Sequence, residues 1–124
     1  MRLILGSGLI LISAQAAAIA QQGYSETYTR CINHAYGQTE VLQKCVDQEL
    51  KQHKKRLKKS YRAYYKVSGQ HQANVIQQYE LWERRVQSQC YTAMDNQFGR
   101  LQQSRCILAQ VIEQANYYGA RYIP

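Results

Sequence analysis

The chain has 124 residues, with 16 Lys or Arg against 8 Asp or Glu and a net charge of +8. This length excludes a multidomain enzyme and fits one small domain. The basic balance points to anionic partners: lipid headgroups, lipopolysaccharide, acidic glycans or an acidic protein.

Residues 1–20 read as a cleaved secretory signal peptide. Met1 and Arg2 form a positive start, Leu3 to Ile12 an apolar stretch, and Ser13 to Ala20 a small-residue region with cleavage options at Ala16, Ala18 and Ala20. The apolar stretch is too short to span a bilayer, and no later segment replaces it. No cysteine lies near the cleavage region, so a lipid-anchored mature form is not expected. Cleavage after Ala20 leaves residues 21–124 as a single helical, disulfide-bonded domain with 15 basic and 8 acidic side chains. The expected location is periplasmic or secreted. Export argues against nucleic acid as a partner.

The exported part reads as helical nearly throughout, since its only proline is Pro124. Residues 21–36 have room for a short helix around Cys31. A long helix is predicted from Gln38 or Thr39 to Val67, with Thr39 as cap and Glu40 in the first turn. Val46, Leu50, Leu57, Tyr61 and Tyr64 form its apolar stripe. A turn over Ser68-Gly69-Gln70 leads to a second helix, predicted from Gln72 to Asn96, with Val75, Tyr79, Trp82, Val86 and Cys90 on one face. Gly99 breaks the pattern. A third helix follows from Arg100 to Tyr118, with Leu101, Leu108, Ile112 and Ala115 on one face, and then an irregular tail. The expected fold is all-α: a small three-helix bundle built on a long antiparallel helical hairpin and stapled by two disulfides.

Cys31, Cys45, Cys90 and Cys106 are an even set in a small exported chain, which reads as two disulfides. The pairs 45–90 and 31–106 are both centred close to Gly69, so they lie level in a hairpin. The pairs 31–45 and 90–106 are centred beside Gly37 and Gly99. Symmetry does not choose between these, and the nested pairing is slightly preferred. A zinc site from Cys31, His34, Cys45 and His53 is disfavoured, because Cys45 and His53 are eight residues apart and the compartment is oxidising. No metal and no cofactor are expected.

Catalytic groupings are hard to find. Asp47 and Glu49 face different sides of a helix, and Glu80 and Glu83 sit beside Arg84 and Arg85 as solvated pairs. No serine sits in a strained-turn motif, and no free thiol is expected. His53 lies between Leu50 and Leu57 and reads as a half-buried, hydrogen-bonded histidine. The stretch from Lys51 to Lys66 carries eight basic residues and no acid. Lys51, Lys55, Lys58, Arg62 and Lys66 recur at helical spacing and form a basic strip about 22 Å long. A solvated face usually mixes signs, so this strip is the candidate surface for an anionic partner. Of eleven tyrosines, Tyr61, Tyr64 and Tyr79 fit the core; Tyr65, Tyr91, Tyr117, Tyr118 and Tyr122 are less obviously buried.

From Cys31 to Cys106 the chain resembles the LprI-type lysozyme-inhibitor domain, a family of small exported helical proteins with four cysteines. The matching residues are Cys45, Glu49-Leu50, Leu57 and Tyr61, then Trp82 with Cys90 eight residues on, then Cys106. The chain departs from the family pattern at His53, Lys54, Lys58 and Val86. The resemblance implies an exported, non-enzymatic protein that binds and blocks a lysozyme or other cell-wall-degrading enzyme. The alternative is an envelope-associated protein whose basic helix face binds anionic lipid, lipopolysaccharide or glycan.

Overall fold

A computed structural model describes residues 23–121. The signal peptide expected over residues 1–20 lies outside these residues, as does Tyr122. The described chain is all-α: α1 (Glu26–Asn33), α2 (Thr39–Val67), a short 3₁₀ turn (Gly69–His71), α3 (Gln72–Cys90) and α4 (Gln97–Arg121). No helix among the described residues is long and apolar enough to cross a membrane.

α2 has the expected bounds, but Thr39 is its first helical residue and not its cap. Gln38 holds the cap position without a side-chain bond. The reversal before it uses Tyr36 and Gly37, both with positive φ (48° and 74°). Gly69 turns the chain again with φ 50°.

α3 stops at Cys90, six residues short of the expected Asn96, because the polar stretch after it makes its own local bonds. Thr92 Oγ1 accepts from the Met94 N–H at 3.1 Å. Asn96 Oδ1 accepts from the Gly99 N–H at 2.7 Å. Asn96 therefore caps the next helix instead of ending the previous one. Gly99 is not a breaker either. It sits buried in the first turn of α4, and a Cβ there would lie 2.2 Å from the Met94 carbonyl oxygen. α4 then continues to Arg121, through the start of the segment expected to be irregular.

The main packing axis is α2 against α4. The expected hairpin of α2 and α3 is the weaker contact. One core cluster joins Val46 of α2 to Leu101, Leu108 and Ile112 of α4. The other joins Leu57 of α2 to Trp82, Val86 and Cys90 of α3 and to Val111, Ala115 and Tyr118 of α4. Leu50 packs against both. Burying a Leu or Val of this kind contributes about 1.5–3 kcal/mol. α4 contributes to both clusters along its length and the shorter α3 only to one.

Most of the surplus tyrosines are placed by an aromatic cluster at the end near Gly69. Tyr61 lies 4.6 Å from Tyr79 and 5.4 Å from Tyr118 between ring centroids. Tyr118, not an obvious core residue in the sequence, is 1% exposed. Burial pushes its phenol up to about 12 and also raises those of Tyr61 and Tyr79.

The disulfides are Cys31–Cys45 and Cys90–Cys106, with Cα–Cα distances of 5.7 and 5.3 Å. The nested pairing preferred on symmetry is therefore corrected. The physical reason is the packing axis. α2 turns its cysteine toward α1, and α3 turns its own toward α4, so each bond closes one connector.

Candidate functional site

Glu49 and His53 are the two buried polar residues of the core, 5% and 6% exposed. One turn apart on α2, they anchor a polar chain through three helices. At one end, Ser25 donates to Glu49 from both its backbone N–H (2.7 Å) and its hydroxyl (2.8 Å). The same hydroxyl oxygen accepts from the Tyr28 N–H and caps α1. Glu49 Oε2 lies 3.5 Å from His53 Nε2. His53 Nδ1 faces Arg56, and Arg56 Nη1 donates to Asn116 Oδ1 on α4 at 2.8 Å.

The guanidinium settles the state of His53. Arg has only donors, so Nδ1 must accept and the proton sits on Nε2, toward Glu49. Burial holds the His53 pKa below its ordinary value; the neighbouring Arg56 charge adds to this and Glu49 opposes it. Burial also lowers the pKa of Arg56. The order Ser–Glu–His differs from that of a nucleophile relay, in which the imidazole touches the hydroxyl. Here the carboxylate lies between them. The chemistry on show is cohesion: α1 to α2 through Glu49, and α2 to α4 through Arg56. Ser25, Arg56 and Asn116 are the residues sequence reading missed. Ser25 three residues before Tyr28 carries a helix-cap signal, but nothing in the spacing joins it to Glu49.

The opposite side of α2 has a different character. Lys51, Lys55, Lys58, Arg62 and Lys66 are all exposed. Among the described residues none of them has a carboxylate oxygen within salt-bridge distance. Of the residues carrying the family-like pattern, Leu57 and Trp82 share one buried cluster, with Leu50 and Tyr61 packed against it. They form the frame, not the surface.

Two other surface features stand out. Between α2 and α3 lies an open cleft of about 980 Å³, walled by Lys54, Lys58 and Arg62 on one side and Glu80, Glu83 and Arg84 on the other. In the α1–α2 connector, Tyr36 is 84% exposed and its positive φ is rare for a bulky residue. The Cys31–Cys45 disulfide spans that connector. The four cysteines form two disulfides, so no free thiol is present among the described residues. They also hold no group of three or more His, Cys, Asp or Glu arranged for a metal.

No family model, curated protein or solved structure matches the chain.

Proposed function

We propose that this is an exported, non-enzymatic binding protein that docks an anionic envelope surface through the basic face of α2. Two disulfides fit an oxidising compartment outside the cytoplasm. The observation that carries the reading is the row Lys51, Lys55, Lys58, Arg62 and Lys66, exposed and unpaired with any described carboxylate. Like charges at i,i+4 cost a helix a few tenths of a kcal/mol per pair, and an anionic partner reverses that cost. The test is binding to vesicles with and without anionic lipid, and to lipopolysaccharide, at rising salt. Neutralising Lys55, Lys58 and Arg62 together to Gln should weaken binding on the order of 100-fold, at about 1 kcal/mol per charge near an anionic surface. Unchanged binding by that triple variant would remove the basic face from the mechanism.

A second reading, inhibition of a cell-wall-degrading enzyme, follows the LprI-type resemblance and is favoured by Tyr36. An exposed aromatic on a disulfide-spanned connector, held at positive φ, suits occlusion of an active-site groove. The shared positive charge of this chain and common lysozymes works against their long-range approach. The check is a muramidase panel assayed with the oxidised protein and with Tyr36→Ala. The reading predicts inhibition by the first that the second loses, and a complete lack of complexes would end it.

A further inference from the structure

We propose that the cleft between α2 and α3 binds an acidic oligosaccharide, a chain carrying carboxylates along one edge and free hydroxyls along the other. This rests on the basic face of α2 as an anion-binding surface and names the ligand class for part of it.

The cleft has three chemically distinct sides. Its α2 wall carries Lys54, Lys58 and Arg62, spaced over about 12 Å of helix. Its α3 wall carries Glu80 and Glu83 with the cation Arg84 beside them, and so is net acidic. Its floor is apolar, with Leu57, Trp82 and Ile107. Tyr61 and Tyr79 meet at 4.6 Å toward the Gly69 end, and exposed Tyr91 stands at the other. Among the described residues no cation of the first wall lies within salt-bridge distance of a carboxylate of the second. The two walls face each other without a direct ion pair across the cleft.

Each wall restricts the ligand. Lys and Arg only donate hydrogen bonds, so the first wall needs acceptors, best supplied by carboxylates. Ionised Glu only accepts, so Glu80 and Glu83 on the second wall need donors, while Arg84 beside them can take one further acceptor. A bare polyanion would satisfy the first wall and Arg84 but would leave Glu80 and Glu83 without donors. A neutral sugar would leave three cations unmatched. An acyl chain would cover the floor and leave Glu80 and Glu83 without donors. A sugar acid meets both walls at once, carboxylates toward α2 and hydroxyls toward α3. The tyrosine rings offer flat apolar faces with a polar tip, suited to the C–H face of a pyranose. The cleft volume lies in the range of small-ligand sites.

Trp82 is the only tryptophan and lines this cleft, so its emission reports occupancy. The oxidised full chain is titrated with a galacturonic-acid hexamer, with a neutral cellulose hexamer and with phosphatidylcholine–phosphatidylglycerol vesicles. The expected result is a saturable change in Trp82 emission with the uronate hexamer and none with the neutral one. The sharpest variant is Glu83→Ala, at an exposed position where folding is checked by circular dichroism. It should weaken uronate binding at least fivefold while leaving vesicle binding equal or stronger. The variant Lys51→Gln/Lys55→Gln/Lys66→Gln, outside the cleft, should weaken vesicle binding and leave uronate binding within twofold. If Glu83→Ala tightens uronate binding, the contact is bare charge attraction and the cleft assignment is overturned. Uronate binding without a Trp82 response also overturns it. If vesicles bind and the uronate does not, the cleft assignment falls and the basic face stands. If neither binds, both fall.

Discussion

Arg56 donates to Nδ1 of His53 from both Nε (3.3 Å) and Nη2 (3.1 Å), three residues along the same helix. This pair fixes a neutral imidazole inside the bundle, because a proton on Nδ1 would remove the acceptor and set two cations side by side.

Stability should therefore depend on pH through His53. Its folded pKa is lowered, while in the unfolded chain it titrates near 6.5. The unfolded state then binds the proton first as pH falls. The contribution is fully present above about pH 6.5 and is lost as pH drops toward the folded value. Denaturant midpoints measured from pH 7.5 to 5.5 should decline, and His53→Gln should flatten the slope. An equal slope in both proteins would place the titrating group elsewhere.

Removing the guanidinium should cost more than a surface arginine does. Arg56→Ala leaves the buried His53 Nδ1 without its guanidinium donors and removes one bond to α4, a loss of about 1–3 kcal/mol. Urea unfolding measures it. A double-mutant cycle with Asn116→Ala should show coupling of about 0.5–3 kcal/mol between these two sites, and additive effects would mean that the α2–α4 bond contributes nothing.

The pairing of the cysteines has a direct chemical readout. A single cut between residues 46 and 89, followed by denaturation without reductant, should release two separate halves, because each disulfide lies within one half. Nested bonds would keep the halves joined. Each bond closes a loop of 14 or 16 residues, for which chain entropy gives about 3 kcal/mol. Replacing Cys31 and Cys45 together with Ala should lower stability by about that amount.

Gly99→Ala should destabilise by about 1–3 kcal/mol, the usual cost of overpacking, since the new methyl group meets the Met94 carbonyl oxygen and the backbone there must move. Gly119→Ala, with open space around it, is the control and should be neutral or slightly stabilising.

Helix periodicity carried the fold a long way. The stripe from Val46 to Tyr64 identifies α2 as a helix, and the start signals at Thr39 and Glu40 with the turn at Ser68-Gly69-Gln70 place its ends within a residue. The failures occur where meaning is non-local. Asn96 suits a helix interior poorly and a cap well, and which helix it serves depends on the bonds made by Thr92 and Gly99. Gly99 is a helix residue whose reason is a carbonyl passing over it. The cysteine spacing is symmetric about two sets of centres, and only the choice of α4 over α3 as the partner of α2 decides between them. The basic strip could be read from spacing alone. The far side of the cleft, with Glu80, Glu83 and Arg84, could not, because spacing within one helix does not show how far apart α2 and α3 stand.

The order of the disulfides also bears on how the protein matures. A chain that enters an oxidising compartment with its N-terminus first presents Cys31 and Cys45 together, before Cys90 and Cys106 arrive. Each thiolate then meets its native partner as its nearest available one, so oxidation can keep pace with delivery and no mispaired intermediate has to be reshuffled by thiol exchange.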